Sequence, residues 1–262
     1  MPEPDLLLLE RAAREAGAIA RGIAERACKT WSKKDGSPVT EADLAVNRYL
    51  DEKLRAARPN YAWLSEESED DGARLSARRI FVVDPIDGTA AFVKRKPHFA
   101  VSVAVVEDGR PVAATVYNPM TDECFTAAEG EGACLNGVPI HVTATPVLEN
   151  CRLLASRATL TSPRWERWPA MQVENPNSIA YRVALVAAGK FDAAITMAAI
   201  HDWDLAAADL IIREAGGVIS SIEGVTPVYN REDVVQPSVL AAGPALHAIF
   251  RSRLDAAHEA SP

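Results

Sequence analysis

Three short segments of this chain carry carboxylates where side chains from different parts of a fold can converge: Ser65-Glu66-Glu67-Ser68, Asp84-Pro85-Ile86-Asp87-Gly88-Thr89 and His201-Asp202-Trp203-Asp204. The middle one is the most informative. Ile80-Phe81-Val82-Val83 reads as a buried strand ending on Asp84, and the proline that follows predicts a turn returning Asp87 beside it. Two carboxylates at a strand end, followed by the backbone amides of Gly88 and Thr89, offer a place for a hard cation and a phosphate together. Mg2+ takes oxygen ligands and shares its shell with water and substrate phosphate, and amides opening a turn or helix receive an anion's oxygens. The same residues also fit a plain turn, with Asp84 and Asp87 as turn formers. Taken singly, Glu66 and Glu67 fit a solvated acidic loop that continues through Glu69-Asp70-Asp71. Asp204 fits a helix N-terminus, and Thr40-Glu41-Ala42-Asp43 fits a capping box.

Positioning these groups requires strand ends and helix starts, and the chain supplies them. Leu6, Leu9, Ala13, Ala16, Ala20 and Ile23 recur at helical spacing, predicting an amphipathic helix from Asp5 to about Lys29. A second helix runs from Thr40 to about Ala57, stopped by Pro59. Strands are predicted at Tyr61 to Leu64, Ile80 to Val83, Phe99 to Val106, Val112 to Tyr117 and Glu123 to Ala127, with turns at Asp108-Gly109 and Asn136-Gly137. After about residue 145 strands and helices alternate: a strand at Arg152 to Ala155, a helix at Ser178 to Ala188, a strand at Phe191 to Thr196, and a helix at Trp203 to Ala215 closed by Gly216-Gly217. Strands at Val218 to Ser220 and Ser238 to Ala241 and a helix from Ala245 to Leu254 complete it. The expected organisation is one unit over 1–262, with subdomains of about 1–145 and 146–262 packed together.

Composition narrows the classes of function. With 262 residues, 28 basic and 36 acidic side chains give a net charge of −8, and 48% of the residues are hydrophobic, enough for a sizeable core. The negative balance argues against a surface for a nucleic-acid polymer, which needs a basic face. The apolar run Leu6 to Leu9 is far too short for a membrane span, and acidic neighbours argue against a signal peptide. Cys28, Cys124, Cys134 and Cys151 form no close-set metal motif and are expected as free thiols in a reducing, cytoplasmic setting.

Together and in this order, the segments resemble the inositol monophosphatase family of metal-dependent, lithium-sensitive phosphatases, which includes the 3'(2'),5'-bisphosphate nucleotidases. The resemblance runs from Lys34-Asp35-Gly36-Ser37-Pro38-Val39-Thr40-Glu41-Ala42-Asp43 through Ser65-Glu66-Glu67-Ser68 and Asp84-Pro85-Ile86-Asp87-Gly88-Thr89. It ends on Trp203-Asp204-Leu205-Ala206-Ala207 and Glu214-Ala215-Gly216-Gly217. It implies an α/β (α+β) protein built as a layered αβαβα sandwich, two or three Mg2+ per site and a small phosphorylated substrate, and it allows a homodimer. Carried over by residue, it implies that Glu66, Asp84 and the main-chain carbonyl of Ile86 hold one Mg2+, and that Asp84, Asp87 and Asp204 hold another. Glu67 would stand behind these ligands and orient them. Thr89 and Asp43 would polarise the attacking water, and the Gly88 and Thr89 amides would hold the phosphate.

The substrate side departs from the family pattern. Ala90-Ala91-Phe92 carries neither the asparagine of inositol-type members nor the glutamate of nucleotidase-type members. Val93-Lys94-Arg95 looks like the nucleotidase side and Pro97-His98-Phe99 like the inositol side. Asn177 and Ser178 occupy the expected substrate-facing helix start, where a plain N-cap is an equal reading. The glutamate with which inositol-type enzymes meet sugar hydroxyls falls near Thr196 or Met197. The readings carried forward are an inositol or sugar monophosphatase, a nucleotidase acting on adenosine 3',5'-bisphosphate in sulfur assimilation, and a metal-binding regulatory protein without turnover.

Overall fold

The computed structural model describes residues 3–26, 28–33, 36–160 and 168–259. Lys34 and Asp35, within the first family-like segment, lie outside the described residues. The chain opens with α1 (Asp5–Ala24), a hairpin of β1 (Thr30–Ser32) and β2 (Pro38–Thr40), and α2 (Glu41–Ala57). There follow β3 (Ala62–Ser65), β4 (Arg79–Asp87), a short α3 (Thr89–Val93), β5 (Ala100–Glu107), β6 (Arg110–Asn118), β7 (Glu123–Ala128), β8 (Gly132–Leu135) and β9 (Val138–Pro139). The remainder comprises β10 (Arg152–Leu154), α4 (Arg157–Leu160), β11 (Gln172–Glu174), α5 (Ile179–Ala187), β12 (Ala193–Thr196), β13 (Ile200–His201), α6 (Asp202–Glu214), β14 (Val218–Ser220), β15 (Val235–Gln236), β16 (Val239–Ala242) and α7 (Pro244–Glu259).

Strands β3 to β9 form a seven-stranded sheet in sequence order, antiparallel except for the parallel pair β3 and β4. A five-stranded sheet has the order β11-β10-β12-β16-β14. Successive strand residues face opposite ways, and this sorts the apolar residues into separate cores. On β4, Phe81 and Val83 pack with Leu9, Ala16, Leu50 and Leu54 of α1 and α2, whereas Ile80 and Val82 pack with Ala184 of α5 and Leu205 and Ile211 of α6. On the smaller sheet, Ala194 and Ala241 face α5 and α6, while Ile195 and Leu240 face Leu246 and Phe250 of α7. The layers are therefore helices, sheet, helices, sheet, helix, the αβαβα sandwich expected. Both faces of each sheet are covered, which is why the strands read as near-continuous apolar runs.

Two local expectations are corrected. α1 ends at Ala24 rather than near Lys29, because the chain turns into the hairpin there and the Lys29 carbonyl accepts from the Glu41 amide. The Asp84-Pro85-Ile86-Asp87 segment is not a turn but the end of β4, interrupted by a bulge: Asp84 pairs with Ser102 and Asp87 with Ala100. Proline, with no N–H to donate, is tolerated at such an irregularity. Asn136 and Gly137 form the expected tight turn between β8 and β9, both with positive φ, at 50° and 77°. All four cysteines are free, and no described helix is long and apolar enough to cross a membrane.

Candidate active site

The bulge explains how the acids meet. Residues three apart on a regular strand point to opposite faces, so Asp84 and Asp87 would diverge. One extra residue on β4 restores the phase, and both side chains emerge on the face of Ala100 and Ser102, toward α5 and α6. Asp204, in the first turn of α6, reaches the same point. Among the described residues, oxygen atoms of Asp84, Asp87 and Asp204 all lie within 4.8 Å of one another.

Each carboxylate is held. Asp84 Oδ1 accepts from the Ile86 amide at 2.9 Å. Asp87 Oδ2 accepts from the Ser178 hydroxyl and the Ala180 amide, both at 2.6 Å, tying it to the start of α5. Ser178 Oγ in turn accepts from the Tyr181 amide, so the residue is an N-cap as well as a bridge. Asp204 Oδ2 accepts from the His201 amide at 2.7 Å, reaching back across the helix start. Asp84 and Asp87 are buried. Loss of water and the neighbouring Glu66, Asp87 and Asp204 charges push Asp84 well above the usual carboxylate range, and burial followed by the Asp204 charge pushes Asp87 up to about 7. Two buried acids and the half-buried Asp204, crowded together with no lysine or arginine paired to any of the three among the described residues and with His201 Nδ1 3.8 Å from Asp204, offer the oxygen donors of a divalent cation, so the residues present fit Mg2+.

Asp43 and Thr89 meet as expected. Thr89, the first residue of α3, donates from Oγ1 to Asp43 Oδ1 at 3.0 Å and lies 3.1 Å from the Ile86 carbonyl. The other oxygen of Asp43 accepts from the Thr40 amide and hydroxyl at 2.8 and 2.5 Å, while Thr40 Oγ1 accepts from Ala42 and Asp43 amides. The capping box and the contact with Thr89 thus coexist, one carboxylate oxygen serving each. Gly88 precedes Thr89 with φ +93°, and a Cβ there would meet the His98 carbonyl at 2.9 Å and the Ser178 amide at 3.0 Å. Only glycine brings β4 this close to α5.

Glu66 and Glu67 lie on a held loop after β3. Ser65 donates to Asn47 at 2.7 Å, and Asn47 donates to the Glu67 carbonyl and to Ser68, fixing the loop against α2. Glu66 is outside the trio of converging aspartates, and Lys33 pairs with both glutamates, 2.7 Å from Glu66 and 2.6 Å from Glu67. Burial raises both glutamate pKa values and Lys33 opposes the rise. Lys33 was invisible to motif reading, since its partners are 33 and 34 positions away; its one signal was a lysine at the mouth of a hairpin. Asn177 is exposed beside Ser178, and Lys94 and Arg95 are exposed after α3. His201 stacks on Trp203 with ring centroids 4.6 Å apart. Asp202 points away from the cluster, accepting from Gln236 and the Asn230 amide.

The description "Inositol monophosphatase family" matches residues 2–258. The chain belongs to the inositol monophosphatase family. It is 36% identical over 195 residues to an inositol-1-monophosphatase of Rhizobium meliloti, covering 71% of this chain and 73% of that one. It is 34% identical over 234 residues to the Nus factor SuhB of Escherichia coli strain K12, covering 84% and 86%. Among solved structures, the Thermotoga maritima IMPase superposes with a TM-score of 0.83 at 28% identity, covering 95% of this chain and 96% of that one. The 2'AMP-bound SaIMPase-II superposes with a TM-score of 0.80 at 26% identity, covering 95% and 94%. Family membership and these relatives support a phosphatase.

Proposed function

We propose that the protein is a Mg2+-dependent phosphomonoesterase acting on a small phosphate ester, inositol monophosphate or a similar sugar phosphate. The observation that carries this reading is the convergence of Asp84, Asp87 and Asp204 beside the Thr89–Asp43 pair. Asp84, Asp87 and Asp204 would hold one Mg2+, and Glu66, Asp84 and the Ile86 carbonyl another, with Glu67 and Lys33 setting the Glu66 carboxylate. Bound divalent cations lower the pKa of water and neutralise charge on the phosphoryl oxygens. The chain's own part is positional. Asp43 fixes the Thr89 proton, leaving the Thr89 oxygen to accept from the attacking water. The water oxygen bonds to phosphorus as the ester P–O bond breaks; the water gives up one proton and the leaving alkoxide takes one up, so that the alcohol and hydrogen phosphate are the products. Gly88 and Thr89 amides receive the phosphate, and Asn177 faces the substrate at its exposed position. Ser178 acts through Asp87, to which its hydroxyl is committed.

A second reading, a nucleotidase acting on adenosine 3',5'-bisphosphate, is favoured by the end of β12, where Thr196 and Met197 offer no carboxylate for sugar hydroxyls. One solved relative, SaIMPase-II, is described both with inositol monophosphate bound and with 2'AMP bound. Phosphate release from inositol monophosphate and adenosine 3',5'-bisphosphate, side by side with and without Mg2+ and Li+, tests both. Release that needs Mg2+ and is suppressed by Li+ is expected. Silence on both esters with Mg2+ bound would favour a non-catalytic role, a class to which the Nus factor name of the SuhB relatives is closer.

A further inference from the structure

This acidic chain carries a patch of the opposite sign on the far side of the seven-stranded sheet from the aspartates. A cleft of about 170 Å3 opens there, between the end of α1 and the turn that follows α3. Phe92, Phe99 and Met120 give it apolar walls. Phe92 and Phe99 belong to the core shared with α1 and α2, whereas Asp84 and Asp87 emerge toward α5 and α6. The charged part of the lining is Arg21, Arg95 and Lys96 against a single acid, Glu25. Other arginines of α1 are paired, Arg11 with Glu3 and Arg14 with Glu10. Among the described residues, Arg21, Arg95 and Lys96 have no carboxylate partner of this kind.

Two of these cations stand where local preference would put other residues. The Lys96 amide donates to the Ala91 carbonyl and the Arg95 amide to the Phe92 carbonyl, both at 2.9 Å, the pair of bonds that closes a helix through a left-handed residue. Glycine usually fills that left-handed position and an apolar residue often follows it. Here the two are Arg95, with φ +53°, and Lys96. Strain of this kind persists where the surroundings impose it and gathers at ligand clamps. The space itself suits a ring: an apolar cavity of comparable volume holds benzene, and Phe92 and Phe99 already meet edge to face, with centroids 5.1 Å apart. Apolar walls with positive charge at the edge call for a ligand that is mostly carbon and has one compact negative end. We propose that this cleft binds a small organic anion, its ring-sized apolar body against Phe92, Phe99 and Met120 and its anionic head among Arg21, Arg95 and Lys96. The inference is independent of the phosphatase reading, since the cleft shares no residue with the aspartate site.

The test is a titration of the full chain with benzoate, followed by NMR of isotope-labelled methionine methyl groups assigned through Met→Leu variants. Benzoate should move the Met120 signal saturably and leave those of Met171 and Met197, which pack against the core around α7, in place. Benzamide, with the same shape and no charge, and acetate, with the charge and no ring, should each bind roughly 10-fold or more weakly. Arg95→Gly combined with Lys96→Gln should weaken benzoate binding by a similar factor. Its melting temperature should be no lower than the parent's, because glycine suits the left-handed position. Weaker binding with stability kept is an outcome that a merely structural role for Arg95 and Lys96 would not give. Should that variant fail to melt cooperatively, Arg21→Gln carries the same test from the α1 side. The proposal is overturned if Met120 shows no saturable response, if benzamide or acetate binds as tightly as benzoate, or if the folded variant keeps the parent's affinity.

Discussion

At the scale of single residues, several side chains serve two masters, and the substitutions that separate the roles are the informative ones. Asp43 gives one oxygen to the α2 cap and the other to Thr89. Thr89→Ala removes the hydroxyl and leaves Asp43 Oδ1 without its donor, while the α2 cap and Asp84, Asp87 and Asp204 keep their own hydrogen bonds. It should lower turnover by roughly 100-fold with Mg2+ affinity kept, as checked by steady-state kinetics and metal titration; parental turnover at saturating Mg2+ would refute the role. Asp84→Asn should reduce Mg2+-dependent release by roughly 1,000-fold or more. Because Asp84 is buried with its carboxyl forced toward protonation, the metal-free variant should melt at or above the parent's temperature. The acids were legible in the sequence only together: singly they fitted a turn, a solvated loop and a helix start, and it was the order of the segments, through the family resemblance, that marked them as one site. Lys33 was not, since it owes its meaning to neighbours that only the folded chain supplies.

At the scale of elements, the decisive feature is the β4 bulge with the glycine that follows. The sequence showed a strand ending on Asp84 and a proline, and a turn was the natural expectation. The bulge achieves the same convergence inside the sheet, and no local signal distinguishes the two, because the difference lies in the pairing with β5. Gly88→Ala meets both obstacles at once, an unfavourable φ and contacts of 2.9 and 3.0 Å with backbone atoms that cannot swing aside. A loss of roughly 2 kcal/mol in unfolding free energy is expected, together with a displaced Thr89 and impaired turnover. Denaturant unfolding with parallel kinetics checks this, and an alanine variant as stable and active as the parent would contradict the close approach. Most helices were readable from periodicity and caps, down to Thr40 and Ser178. The short strands β1, β2, β11, β13 and β15 were not, being two or three residues long and fixed by their partners rather than by pattern.

At the scale of the whole molecule, the acidic cluster couples stability to pH, and the Mg2+ proposed for it would enter the same balance. Asp87 titrates near 7 when folded against an ordinary 3.8. The folded state therefore holds a proton that the unfolded state has released, and its stability falls as pH rises from about 4 toward 7. Metal needs the ionised form, so its binding strengthens over the same interval. Melting in chelator should show a temperature that declines toward pH 8, Mg2+ should restore more at pH 8 than at pH 5.5, and Asp87→Asn should flatten the decline. A chelated protein whose melting is as pH-dependent in that variant would count against this origin. The layer order was legible from the sequence through the family resemblance; the sorting of apolar residues into three cores was not, because alternation along a doubly covered strand leaves no polar face to read. The bond from Asp87 to Ser178 and Ala180 joins the last residue of a strand in one sheet to the helix beneath the other. Neither part owns a complete site. Cleaved in the connector between β9 and β10, the protein would become a complementation pair in which catalysis reports reassociation, so that turnover measures assembly as much as chemistry.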